Sequence, residues 1–410
     1  VQLNHAGRYN FSFFLNGQQP VAPSAIASRM TKETPHALTR DEIHQIIDNF
    51  ARAAGRVQAA GFDAVEILSG TGYLISEFLS PLTNQREDDY GGDLNNRMRF
   101  GLEVMQAIRR TVGADYPVIV RMNGTDFMVD GQDRQELQVY AKALQEQGRV
   151  DALSINVGWH EARVPQITTA VPRGAFAYLA RAIKTQVTIP VIYGHRVNDP
   201  ATARELILDD MCDMIAMGRS LIADPYLPEK TRQNHEKQIV HCVACAQGCF
   251  DNLFKLKSVE CLCNPEAGHE GECPETARTE TPKTIMVVGG GAAGMRAALT
   301  ASERGHVVHL YEASRQLGGQ LYLAAAPPGR AEFAELARDL AVQVSLSPIN
   351  VHLNTVVDEA LIQSNPPDHI IIATGARPVT PPIPGIDGAN VVQAWDVLRN
   401  RVHTGKKVVI

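Results

Sequence analysis

Five of the seven cysteines fall within 22 residues, and four of them, Cys242, Cys245, Cys249 and Cys261, stand in the order C-x2-C-x3-C-x11-C. Four thiolates on one short loop can hold a [4Fe–4S] cluster. Structural zinc is the alternative, but zinc sites commonly pair two C-x2–4-C knuckles. Here the third thiol follows close behind the first two, and the fourth comes after residues 250–260, which carry helical apolar spacing. That arrangement favours the cluster. Cys263 lies two residues beyond Cys261 and could replace it as a ligand, whereas Cys212 and Cys273 read as ordinary thiols. Thiols bunched in this way suit metal binding in a reducing compartment, the cytoplasm, better than a secreted disulfide framework.

A second constellation follows a polar, acidic linker. Thr284-Ile-Met-Val-Val leads into Gly289-Gly290-Gly291-Ala292-Ala293-Gly294, a G-x-G-x-x-G that closes a strand and opens a helix predicted over 295–304. Gly289 and Gly291 permit the tight turn and let a pyrophosphate approach the helix N-terminus. A further strand, Val307–Tyr311, ends at Glu312, 18 residues beyond Gly294, where a carboxylate binds ribose hydroxyls. An acidic residue there favours FAD, ADP or NAD over NADP. Residues 370–378 read as another strand ending in an Ala-Thr-Gly turn, and residues 406–410 as the start of one more.

The elements before the cysteines alternate short apolar runs with stretches of helical period. Strands are predicted at Val1–His5, Ala64–Leu68, Val118–Met122, Ala152–Val157, Pro190–Tyr193 and Met214–Met217, with helices over 41–60 and 96–112 among the connections. Near-continuous Val/Ile runs are strands buried on both faces, as in a parallel sheet. Six such units suggest a TIM (β/α)8 barrel lacking its first two strands; a doubly wound sheet would need a Gly-rich first turn that this half does not have. Catalytic groups in a barrel lie at the C-terminal strand ends. Those ends carry Gln2 and His5, Tyr73, Arg121 and Asn123, Trp159 and His160, His195 and Arg196, and Gly218 and Arg219. A Tyr phenol can protonate a developing enolate while a neighbouring His tunes or resupplies it, which makes Tyr73 and His160 the acid/base candidates. Arg196, Gly218 and Arg219 could hold a phosphate, or the arginines could pair with surface carboxylates.

At 410 residues, the chain suggests two or three domains. Its 44% hydrophobic and 20% charged composition is ordinary for a globular protein, and a net charge of −6 offers no argument for nucleic acid or anionic membrane. No apolar run approaches the roughly 18 residues of a membrane span, and no signal-peptide pattern appears at the N-terminus.

Taken together, these motifs resemble the bacterial 2,4-dienoyl-CoA reductases of the old yellow enzyme group, which add an iron–sulfur loop and a pyridine-nucleotide-reductase half. The stretches that carry the likeness are Gln2-Leu-Asn-His-Ala-Gly-Arg8, Gly72-Tyr73-Leu-Ile-Ser-Glu-Phe78, Thr83-Asn84-Gln85-Arg86, Gly158-Trp-His160-Glu161-Ala-Arg163, Val171–Phe176 and the cysteine loop through Asn264-Pro265. The resemblance implies that Gln2, Arg121, Arg196, Gly218 and Arg219 hold FMN, and that Tyr73 is the proton donor with His160 as its partner. It assigns Thr83, Asn84, Gln85, Arg86, Glu161, Arg163 and Thr168 to the acyl-CoA substrate, and Cys242, Cys245, Cys249 and Cys261 to the cluster. Ala293, Glu312, Gln320, Arg330 and Val357 match positions that contact FAD. The implied reaction passes electrons from NADPH through FAD and the cluster to FMN, and from there reduces 2,4-dienoyl-CoA to enoyl-CoA, while Tyr73 protonates Cα.

On this reading, residues 1–235 form the FMN and substrate barrel, 236–268 the cysteine loop, 269–283 a linker, 284–404 a Rossmann-like FAD-binding domain, and 405–410 the start of an NADPH subdomain. The chain begins without Met and stops inside an apolar run, so both ends look cut, and this stretch expressed alone is expected to be insoluble or inactive. The oligomeric state is open, with a monomer compatible. Rival readings of the same architecture are an enoate, steroid or bile-acid enone reductase, or an amine dehydrogenase. An amine dehydrogenase needs an aromatic bowl, and of only two Trp just Trp159 lies near the site. An electron-transfer module without barrel chemistry is a further class, against which the retention of both Tyr73 and His160 argues.

Overall fold

The computed structural model describes residues 1–272 and 277–410, so Cys273 lies outside the described residues. By internal contacts the chain divides into two compact units: Val1–Ile167 with Val171–Met217, and Thr168–Ala170 with Gly218–Ile410.

The first unit is a sheet of six strands, β1 (Gln2–Leu3), β2 (Val65–Ser69), β3 (Val118–Asn123), β4 (Ala152–Asn156), β5 (Val191–Tyr193) and β6 (Met214–Ile215). All pair in parallel and in sequential order, as consecutive units of a TIM barrel do. Every residue of β4 is buried, which explains why it reads as an apolar run rather than as an alternation. The connecting helices include α1 (Arg40–Ala59), α2 (Leu74–Leu79), α3 (Leu94–Val112) and α4 (Arg134–Glu146). Asp or Thr starts three of them: Thr39 closes a capping box with Glu42, and the Asp93 and Asp133 side chains accept from the N3 amides of α3 and α4. The apolar stripe of α1 (Ile43, Ile47, Phe50, Ala54) joins Phe100, Met105 and Ile108 of α3 in a core that continues through Val65, Ile67, Val120 and Leu153 of the sheet.

The second unit contains the cysteine loop and a four-stranded parallel sheet. Its strands are β7 (Thr284–Val288), β8 (Val307–Tyr311), β9 (Asn350–His352) and β10 (His369–Ile372), in spatial order β9-β8-β7-β10. The helix Ala292–Glu303 begins directly after the glycine turn, and Met295, Ala298 and Leu299 bury against Val287, Val308 and Leu310.

Three local expectations differ from what is observed. β9 has no counterpart in the sequence reading because it is a three-residue, largely exposed strand with two polar residues. Residues 250–260 are not a helix: a five-residue π turn, Gln247–Asp251, and one short helical turn, Asn252–Phe254, give way to irregular chain. Residues 406–410 form no strand, since they have no ladder partner and lie exposed. Among the described residues, no helix is long and apolar enough to cross a membrane.

Candidate functional site

Tyr73 and His160 lie on the loops that follow β2 and β4, strands separated by β3. The structure brings them together, with Tyr73 Oη 3.0 Å from His160 Nε2. Two left-handed residues before Tyr73 make the turn, Thr71 at φ +61 and Gly72 at φ +91. A side chain at Gly72 would drive a Cβ to 2.5 Å from the Tyr9 hydroxyl, so glycine is required there. The His160 amide donates to Thr71 O at 3.2 Å, tying the two loops by backbone as well.

Burial raises the Tyr73 phenol above its ordinary value, opposed by the nearby positive charge of Arg121. Burial lowers His160, opposed by Glu161. Both groups are therefore neutral near pH 7: a phenol that keeps its proton until an acceptor arrives, hydrogen-bonded to an imidazole that can exchange one.

Arg121 is fixed by a chain of amides. Its Nη2 donates to Asn156 Oδ1 at 3.0 Å, Asn156 Nδ2 to Asn123 Oδ1 at 3.0 Å, and Asn123 Nδ2 to Asp126 Oδ1 at 2.7 Å. Asn123 Oδ1 also accepts from the Thr71 amide at 3.0 Å, so the same chain holds the loop that leads to Tyr73. Asp126 is buried, and burial pushes its carboxyl up to about 6 against the hydrogen bonds from Asn123 and Gln132. Asn156 and Asp126 were absent from the sequence reading; Asn156 ends β4 as Asn123 ends β3, and that parallel was the available sign.

The remaining barrel candidates divide by what engages them. Gln2 is exposed on β1 and donates to Glu66. Arg196 is buried in a left-handed conformation, φ +55, with its Nε donating to Val171 O at 2.7 Å. In the Thr83–Arg86 stretch, Thr83 Oγ1 donates to Glu77 O and Asn84 Nδ2 to Phe78 O and Tyr90 O. Arg86 binds Asp88 and the carbonyls of Pro23 and Leu38. Three of these four side chains thus serve the protein's own backbone, and only Gln85 is exposed. Glu161 faces inward to Arg8 at 2.7 Å, while Arg163 and Thr168 are exposed, Thr168 within the second unit.

In the second unit, Cys242, Cys245, Cys249 and Cys261 line one small void together with Arg219, Gly248 and Cys263. Gly248 closes this loop. Its carbonyl accepts from the Glu260 amide at 2.9 Å, and a Cβ on it would sit 2.4 Å from Glu260 O. Ala244 and Ala246, which flank Cys245, both adopt left-handed backbone at φ +51 and φ +59. Among the described residues, no three His, Cys, Asp or Glu side chains converge on a single metal-ion position. Four thiols around one void form a donor set that suits a metal group, a multi-iron cluster or a zinc. The Cys263 thiol hydrogen-bonds Cys261 and, with the Cys263 amide donating to Cys261 Sγ at 3.4 Å, draws the Cys261 thiol below its ordinary value against the effect of burial. Gly218 caps the short helix Arg219–Ala223. Arg219 reaches the cysteines: one guanidinium nitrogen is buried without a hydrogen-bond partner, and its charge opposes the rise that burial imposes on Cys242.

The glycine turn assigns each glycine a separate task. Gly289 is left-handed at φ +108, with Ala373 O 2.4 Å from where a Cβ would be, and a Cβ at Gly294 would meet Gly289 O at 1.8 Å. Gly291 has nothing within 4 Å on its Cβ side, the open approach a phosphate needs. Glu312, at the end of β8, accepts from the amides of Gly290 and Ser314, each at 2.7 Å. Gln320 Nε2 donates to Ala376 O at 3.0 Å. Ala293 is exposed on the first turn of the helix. Arg330 lies over Phe333 at 4.6 Å, and Val357 is half-buried.

A parallel barrel sheet with an acid–base pair at its strand ends, joined in one chain to a dinucleotide fold, is the build of a flavin-dependent oxidoreductase. Residues 1–238 match the NADH:flavin oxidoreductase / NADH oxidase family, and the chain belongs to it; residues 283–410 match the pyridine nucleotide-disulphide oxidoreductase family. These assignments support FMN for the first part and FAD or a pyridine nucleotide for the second. The chain is 49% identical to a metal reductase of Desulforamulus reducens, aligning over 100% of its own length and 62% of the relative. It is 40% identical to an NADH oxidase of Thermoanaerobacter brockii, over 99% and 63%. Among solved structures it resembles a 2-naphthoyl-CoA reductase in complex with 2-naphthoyl-CoA, with a TM-score of 0.95 at 35% identity, covering 98% of this chain and 63% of that one. The chain thus spans about three fifths of the length of the relatives it matches.

Proposed function

We propose that the protein is part of an NADPH-dependent reductase that adds a hydride equivalent and a proton across the conjugated double bonds of a 2,4-dienoyl-CoA, with Tyr73 as the proton donor. The observation that carries this reading is the 3.0 Å contact between a half-buried phenol, raised above its ordinary value, and an imidazole lowered below its own, at the C-terminal strand ends. When bound, FMN, FAD and a [4Fe–4S] cluster on Cys242, Cys245, Cys249 and Cys261 supply electron transfer from NADPH to the substrate. The chain supplies the rest. Arg121 stands beside Tyr73 as a fixed positive charge, suited to the electron-rich edge of a reduced flavin or to a developing enolate oxygen. Tyr73 delivers its proton to Cα, and His160 restores it. An acyl-CoA substrate is supported by the 2-naphthoyl-CoA complex of a relative with the same fold.

The test is anaerobic NADPH oxidation with 2,4-hexadienoyl-CoA, followed by loss of the dienoyl absorbance. Tyr73→Phe should lower the rate about 10²–10⁴-fold, with NADPH still reducing the flavin. Flavin reduction without any loss of the dienoyl absorbance in the unmutated enzyme would overturn the substrate assignment and leave enoates, cyclic enones and amines to be tried.

A further inference from the structure

Behind the Tyr73–His160 pair lies a buried polar cluster, an Arg8–Glu161 ion pair with Glu77 beside it, that the proposed reaction does not use; burial holds the Glu77 carboxyl well above its ordinary value. The Arg8 guanidinium donates to Glu161 Oε2 at 2.7 Å and to Ala27 O at 3.1 Å, and the Arg8 amide donates to Glu77 Oε1 at 2.9 Å. The Arg8 and Glu161 side chains are only 3% and 4% exposed, and Glu77 is fully buried. Surface pairs contribute little, but a buried pair holds its partners in one geometry, because separating them strands a charge away from water.

Each carboxyl group is attached to one member of the acid–base pair. Glu161 is the residue after His160, and its oxygens also accept from Ser28 Oγ at 2.9 Å and from the Arg29 amide at 2.7 Å. Glu77 lies one helical turn after Tyr73 and donates its amide to Tyr73 O at 2.8 Å. Between them, the Tyr9 ring makes edge contacts with both Tyr73 and His160, at centroid distances of 5.8 and 5.6 Å, and the Arg8 guanidinium lies 5.5 Å from that ring. Tyr73 and His160 share no strand ladder; their loops are joined by the His160–Thr71 backbone bond, by the 123–126 segment that receives the amides of Thr71, Gly158 and Trp159, and by this cluster, which alone adds a buried ion pair to the tie.

We propose that Arg8 is a positioning residue: with Glu161 and Glu77 it clamps the two loops so that His160 stays in hydrogen-bond reach of Tyr73. This rests on the reading of Tyr73 as proton donor. Small displacements at such a contact cost rate rather than binding.

The test uses the flavin-loaded holoenzyme. Arg8→Lys keeps the charge but loses the fork, and Glu161→Gln keeps the shape but loses the charge. Each should lower kcat at least tenfold for 2,4-hexadienoyl-CoA, with KM within threefold, and should raise the solvent deuterium isotope effect on kcat as proton delivery becomes limiting. NADPH reduction of the flavin should keep its rate. If those variants do not fold, Ser28→Ala removes one donor to Glu161 without a charge change and should move kcat and the isotope effect in the same direction, by two- to fivefold in kcat. A wild-type kcat and isotope effect in whichever of these variants fold overturns the clamp. Tyr73→Phe separates the two ideas: if it alone collapses turnover, the donor stands and the clamp falls; if it turns over normally, the donor reading itself has failed. Independently of any substrate, the ¹⁵N imidazole spectrum of His160, which faces Tyr73, Tyr9 and Glu161, should change its tautomer balance in Glu161→Gln. An unchanged His160 spectrum overturns the clamp without reference to turnover.

Discussion

Asp126 is a residue whose ionisation is at odds with its surroundings. Two hydrogen bonds favour its carboxylate, yet burial outweighs them and holds its carboxyl at about 6, above the ordinary 3.8. Because the folded state keeps the proton more tightly than the unfolded state, stability from this group is fully present below pH 4 and is lost as pH rises to 6. Two pH units at about 1.4 kcal/mol each amount to roughly 3 kcal/mol. Asp126→Asn retains an acceptor for Asn123 and removes the titration. Urea unfolding at pH 4 and pH 7 should therefore show the variant gaining about 3 kcal/mol on the wild type between the two. A constant difference would mean that Asp126 is ionised throughout. Residue chemistry of this kind was poorly legible in the sequence. Tyr73 and His160 stood out because they end strands and sit in recognisable stretches. Arg8, Glu77 and Glu161 act through partners 69 and 153 residues apart in the chain, a proximity that no spacing rule contains.

Elements were read more easily than residues, for a physical reason. Parallel strands buried on both faces are mostly apolar, so β2 to β5 are visible as runs rich in Val, Ile and Leu, and α1 and α3 as helices with one apolar stripe. The edge strand β9 has no such constraint and escaped notice. The cysteine loop shows the opposite failure, in which a helical pattern over residues 250–260 was overridden by one backbone contact. With Gly248 O bonded to the Glu260 amide, residues 249–259 form a closed excursion that brings Cys249 and Cys261 to the same void. Gly248→Ala places a methyl 2.4 Å from the Glu260 carbonyl, which cannot retreat without breaking that bond. The expected outcome is loss of bound iron and acid-labile sulfide, measured chemically, while flavin content is kept. Full iron occupancy in the variant would show that the closure is not what assembles the four thiols.

For the whole molecule, the two compact units each have a core of their own, one around β2–β5 and the other around β7 and β8. On the reading proposed above, each unit has its own nucleotide seat: the strand-end groups around Arg121 in the first, the glycine turn and Glu312 in the second. A ligand that binds only the folded form of one unit stabilises that unit by mass action, about 2.7 kcal/mol at a hundred times its dissociation constant. For units of roughly 200 residues, this corresponds to a rise of roughly 5–10 °C in the midpoint. Calorimetry should resolve two transitions. FMN should raise one and ADP the other, since ADP presents the pyrophosphate and ribose that Gly291 and Glu312 are placed to meet without the flavin ring. Glu312→Ala should abolish the ADP response and leave the FMN response intact. If both ligands raised the same transition, the two nucleotide seats would not be separate. If ADP still raised its transition in Glu312→Ala, the ribose contact would lie elsewhere on the second unit.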